Sequence, residues 1–261
     1  MVRVKCFFSW LWYFMTDGLY RMLGYFIASA VIWNVFIFLA DDHKNLLEVG
    51  NVVYVFFAAL GCAVGIFAAM IFSSENNQDH FRLAPDDTVR PFVSAAIAEL
   101  LKAVVSVWIS VYTSLLLAKG IELVSMHKLA IMAICYVALY FSVGLFAGSV
   151  TKNPFLRIAF CVLYFHVSMG LTYLIFVNSK LEWLEKFRYP FLLNAPLFSY
   201  DIYSVRSGCV IHSYIDNDVI PVGTRGFFFI YFSQFAGLML TACLFFVAAI
   251  LKYKHKKGVE L

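Results

Sequence analysis

The stretch VSAAIAELLKAVVSVWISVYTSLLL, Val93–Leu117, decides the fold. It carries two charges, Glu99 and Lys102, and its apolar residues run on without alternating with polar ones. A helix crossing a bilayer needs roughly 20 predominantly apolar residues. In hydrocarbon every backbone N–H and C=O must find a partner within the protein, so a run of this length is a helix unless strands close into a barrel. Barrel strands are segments of about 10 residues with alternating hydrophobicity. The stretch therefore reads as a transmembrane helix.

Five further stretches of the same kind lie on either side: Met22–Ala40, Val52–Phe72, Leu129–Val150, Phe155–Val177 and Phe227–Leu251. The expected fold is thus all-α, a polytopic membrane protein of six transmembrane helices forming a single transmembrane domain over residues 1–261. Composition agrees: 62% of the chain is hydrophobic and 14% charged, where a soluble domain carries roughly 25% charged residues. A water-facing surface cannot be built from these residues, and no segment is long and polar enough for a separate catalytic domain.

Six crossings place both ends on one side. If Lys252, Lys254, Lys256 and Lys257 are cytoplasmic, so are the N-terminal segment, the loop 73–92 and the turn 151–157. That side then holds eleven Lys and Arg against eight on the other, the sense of the positive-inside rule. The expected location is the plasma or inner membrane, multi-pass, with both termini cytoplasmic. Residues 1–21 combine Arg3 and Lys5 with Phe7, Phe8, Trp10, Trp12, Tyr13 and Phe14 and lack the small-residue cleavage pattern of a signal peptide. They are expected to form a retained interfacial helix in contact with membrane lipids. The segment 178–226, with Leu181, Trp183, Phe187, Phe191, Phe198 and Tyr203, is too apolar for a free linker and too interrupted to span. Short re-entrant or interfacial helices on the outer face are expected there.

Motifs exclude several chemistries. There is no P-loop, dinucleotide fingerprint, H-E-x-x-H or G-x-S-x-G. No basic stripe interleaved with aromatics suggests nucleic acid. Of the six histidines only His166 lies well inside an apolar stretch, and one imidazole cannot make a bis-histidine haem site. It reads as a helix-interface or cavity histidine. Cys62, Cys135, Cys161 and Cys243 lie in apolar runs, which argues against an internal disulfide framework. The chain is not expected to be an enzyme, and no catalytic residue, cofactor or metal is expected.

Two groups of residues stand out. Glu99 and Lys102, three apart, share one helix face, and ionisable groups at that depth are costly unless paired or facing protein or water. The plain reading is a self-neutralised pair with Lys102 snorkelling outward. The functional reading is a contact to a neighbouring subunit or a pore lining. The loop 73–92 holds an apolar knob, Phe81 and Leu83, among Glu75, Arg82, Asp86, Asp87 and Arg90. Such an insert can dock in a partner's groove as a short helix, or it can be a solvated connector. Pro85-Asp86-Asp87-Thr88 supplies turn and N-cap chemistry for the helix that follows.

The layout resembles the permease subunit of type 2 ABC transporters, a family of six-span exporter subunits. Residues 3–20 match the family's amphipathic N-terminal helix. Glu75, Leu83, Pro85 and Arg90 follow the order of its coupling segment. Gly144-Leu-Phe-Ala-Gly-Ser-Val-Thr-Lys-Asn-Pro154 is similar to its small-residue stretch and Asn-Pro turn. Leu193-Asn-Ala-Pro-Leu-Phe-Ser-Tyr200 to Arg206 stands where the family has a patch of Asn, Pro and Tyr ending in Arg, here with Ala195 between Asn194 and Pro196. The resemblance implies a homodimer or hetero-oligomer, a separate nucleotide-binding ATPase subunit pressing on residues 75–90, and export of a lipid-like, glycan, peptide or drug-like substrate. The rival expectation is a structural or accessory subunit of a secretion, conjugation or respiratory assembly, its aromatic surfaces binding fixed partners.

Overall fold

The structure, a computed structural model, describes residues 2–42, 46–72, 89–117, 123–177, 210–212, 219–221 and 224–258. These form seven helices: α1 (Val2–Thr16), α2 (Tyr20–Asp42), α3 (Leu46–Ile71), α4 (Val89–Leu117), α5 (Leu123–Val150), α6 (Pro154–Val177) and α7 (Thr224–Gly258). One short ladder, β1 (Val210–His212) antiparallel to β2 (Val219–Pro221), completes the described elements. Residues 178–209, 213–218 and 222–223, in the segment where short outer-face helices are expected, lie outside the described residues. Within that segment the ladder is extended rather than helical, in keeping with the β-branched Val210, Ile211, Val219 and Ile220.

Among the described residues three helices are long and apolar enough to cross a membrane: α4 over Val89–Ser114, α5 over Ala133–Val150 and α7 over Ala236–His255. Shorter apolar segments, Phe57–Ile71 and Pro154–Ser168, lie in α3 and α6. The chain is thus a helical protein with the makings of an integral membrane protein. α4 starts before Pro91, which sits in its first turn. Proline is tolerated there because the first N–H groups of a helix have no intrahelical acceptor.

Ring contacts give the direction of each helix. Trp33 meets Phe57 with centroids 5.2 Å apart and Tyr25 meets Phe67 at 5.8 Å, so α2 and α3 run antiparallel. Phe57 stacks on Tyr136 at 6.0 Å while Gly65 lies against Gly144 further along, so α3 and α5 run parallel. Tyr140 meets Tyr164 at 5.6 Å and Phe146 meets Phe160 at 5.9 Å, which makes α5 and α6 antiparallel. Phe92, near the start of α4, stacks on Tyr253, near the end of α7, at 4.2 Å. α5 is the hub, packed against α3, α4, α6 and α7, and most of Ala133–Val150 is buried, whereas most of Ala236–His255 faces outward.

The α3–α5 contact depends on glycine. Gly65 on α3 lies directly against Gly144 on α5, where an added Cβ would overlap the Gly65 carbonyl oxygen; Gly61 packs on Tyr140 of α5, and Gly148 of α5 on the Ala69 and Phe72 carbonyls. Small residues four apart let two helix backbones approach closely, which in hydrocarbon replaces the missing hydrophobic drive with van der Waals contact.

The α5–α6 link is a three-residue turn. Asn153 Oδ1 accepts from the Phe155 amide at 2.9 Å, an N-cap ahead of Pro154 at the first helical position. Arg157, buried, donates through Nε to the Thr151 carbonyl at 2.8 Å and through Nη2 to the Lys152 carbonyl at 2.5 Å. One side chain near the start of α6 thus ties down the carbonyls that follow α5.

Candidate functional site

The most polar region of the described bundle is built on α4. Glu99, Lys102, Ser106, Ser110 and Ser114 recur at three- and four-residue intervals, hence on one side of the helix, and all five are buried. Lys102 is wholly enclosed, 0% exposed, and Glu99 is 3% exposed.

An ammonium has three donors and no acceptor, and Lys102 uses all three. Nζ donates to Glu99 Oε1 at 2.5 Å, to the Phe14 carbonyl at 2.9 Å and to the Asp17 carbonyl at 2.8 Å. Both carbonyls lie at the end of α1, where a helix runs short of its own amide donors. The negative end of a helix macrodipole also favours a cation there. Lys102 is therefore the C-terminal cap of α1, reaching across from another helix.

Glu99 Oε1 accepts a second charged donor, Arg21 Nη1, at 2.6 Å. Arg21 lies in the first turn of α2, and its side chain is 28% exposed. Gly18 makes room for it. That residue has φ +65°, in the left-handed region that glycine enters without steric cost, and a Cβ there would lie 2.8 Å from Arg21 Nε. One carboxylate thus joins the ends of α1 and α2 to α4. The corner carries two cations and one anion, with the carbonyl end of α1 balancing part of the excess.

This corrects the expectation that Lys102 snorkels outward: it turns inward because three acceptors converge there. The partners of Glu99 and Lys102 all belong to this chain. His166, expected at a helix interface or in a cavity, is exposed, with Nδ1 2.9 Å from the Val162 carbonyl of its own helix. The backbone one turn back satisfies the ring, so no neighbouring helix is needed.

Of the expected coupling residues, Glu75, Phe81, Arg82, Leu83, Asp86 and Asp87 lie outside the described residues. Arg90 stands in the first turn of α4, half-buried. Gly144 and Gly148 belong to the small-residue stretch of the resemblance, whereas no role for Arg21, Gly61 or Gly65 is read from sequence. The twofold occurrence of G-x-x-x-G, at Gly61 and at Gly144, was the available signal for the seam. For Arg21 there was none, because its partner is 78 positions away.

Among the described residues no group of three His, Cys, Asp or Glu could hold a metal ion. Cys62, Cys135, Cys161 and Cys243 are free thiols. The corner's charges are spent on fixing the ends of α1 and α2 to α4, so its chemistry is attachment. No protein-family model matches this chain, and no curated protein matches it either.

Proposed function

We propose that this chain crosses the membrane six times and serves as the permease subunit of an ABC-type exporter, with ATP hydrolysis supplied by a separate chain. The six crossings rest on α2, α3 and α6 lying beside the apolar α4 and α5 in alternating directions. In this reading both termini are cytoplasmic, in a plasma or inner membrane, and two permease subunits pair as a homodimer or hetero-oligomer. The cargo class is lipid-like, glycan, peptide or drug-like.

The observation that carries the proposal is α4 itself. It follows directly on the loop 73–88, runs for 29 residues or about 43 Å, and holds the ends of α1 and α2 through Lys102 and Glu99. A push delivered to the loop would move α4 with both attached helices as one body, the rigid-body coupling that alternating access needs. The test is co-purification from native membranes. A nucleotide-binding chain should accompany the protein and be lost when residues 80–88 are replaced by Gly and Ser. A purified complex with no such chain would overturn the proposal.

A structural or accessory role is the second reading. It is favoured by the outward apolar face of α7, with Leu240, Leu244, Val247 and Leu251 exposed, and by exposed Phe8 and Trp12 on α1. It requires a fixed stoichiometric partner without ATPase activity, which the same purification would reveal.

A further inference from the structure

Between α5 and α6 lies a cavity of about 310 Å³, lined by Ala147, Val150 and Thr151 on one side and Leu156, Ala159 and Leu163 on the other. The one hydroxyl in this set, Thr151 Oγ1, is engaged by the Asn153 amide at 3.2 Å, so the walls present carbon. The cavity begins at the α5–α6 turn, where Lys152 is exposed beside the lining residue Thr151. From Leu156 to Leu163 the α6 axis rises about 10 Å, most of one leaflet of a hydrocarbon core roughly 30 Å thick. Lys252 and Lys254 are exposed on α7 next to Tyr253, which stacks on the first turns of α4, so they stand at the same end of the bundle. An exposed lysine, Lys152, beside the mouth of an apolar slot has the shape and charge of a site for a charged amphiphile.

We propose that this cavity holds one acyl chain of an anionic phospholipid, with the phosphate at Lys152. The buried Arg157 is a positioning residue: its two bonds to the Thr151 and Lys152 carbonyls fix the turn that forms the mouth. Charge selects anionic over zwitterionic headgroups in the way that basic residues beside a membrane generally do, and the slot adds a requirement for a chain. The inference rests on α6 crossing the membrane, and it is independent of whether the protein exports anything.

The experiment uses the full chain in mixed micelles containing equal phosphatidylglycerol and phosphatidylcholine, with retained lipids counted by native mass spectrometry after delipidation. One phosphatidylglycerol should remain per chain, enriched about fivefold or more over phosphatidylcholine. Ala159→Phe, which fills the slot from an exposed position, should remove it. If that variant fails to fold, Leu156→Trp at the mouth should do the same. Lys152→Gln should keep a bound lipid while its enrichment falls towards one, and Leu244→Phe on the outer face of α7 should change nothing. Equal retention of both lipids, or an Ala159→Phe protein that holds as much as the parent, overturns the proposal. Displacement by millimolar inorganic phosphate would overturn the acyl-chain assignment. Release of the chain from membranes by alkaline carbonate would instead overturn the membrane-spanning reading beneath it.

Discussion

Two contacts hold this bundle together by opposite means. At the corner of α1, α2 and α4, three charged side chains and two backbone carbonyls meet within hydrogen-bonding distance. Along α3 and α5, glycines bring two backbones together with no charged side chain at the contact, Gly65 against Gly144 and Gly61 against the Tyr140 ring. The corner depends on its enclosed partners, because Glu99 and Lys102 are buried and each needs the other. The seam tolerates no added atom. The two regions should therefore fail under different substitutions, and comparing variants tells them apart.

Lys102→Met should have the largest effect, since it leaves Glu99 buried with only Arg21 and strips two carbonyls of their donor. Removing one partner of a buried pair costs about 3–5 kcal/mol, so thermal unfolding in detergent should fall steeply. The double variant Lys102→Met with Glu99→Gln should recover part of the loss, because an apolar or neutral replacement of the whole pair is often nearly neutral. A double variant as unstable as the single one would refute this account of the corner. Gly144→Ala should come next, at about 1–3 kcal/mol or somewhat more. The obstructing atom is the Gly65 backbone oxygen, so the helices must separate, and a disulfide cross-link engineered between α3 and α5 should form more slowly.

Arg21→Gln should cost less, under about 1 kcal/mol, because the side chain is partly exposed and partly screened. If it matched Lys102→Met, the division between enclosed cap and outer partner would be wrong. The smallest effect is expected at Gly24, where an added Cβ meets nothing within 4 Å. Gly24→Ala should be neutral or stabilise by up to about 1 kcal/mol, since alanine is the better helix former. Clear destabilisation there would mean that α2 has a neighbour at that position.

The sequence made the helices legible and left their partners hidden. Each of the six apolar stretches falls within a helix because a long run of carbon-rich side chains has few other solutions. The Glu99–Lys102 pairing was legible for a similar reason, as i, i+3 spacing fixes it locally. The direction Lys102 takes was not. A lysine whose head reaches water and one that caps a distant helix have identical neighbours in sequence, and only the placement of Phe14 and Asp17 separates them. The glycine spacings were visible, yet they name no partner, since any two helices can approach at small residues. That α3 and α5 meet side by side follows from their running in the same direction, a property of the assembled chain.

The cap on α1 also orders events during synthesis. Phe14 and Asp17 are made 85 or more residues before Lys102, and chains grow N-terminus first at about 5–20 residues per second. For several seconds the joint between the first two helices is unfinished, and nascent chains arrested before residue 99 should leave their N-terminal segment open to protease.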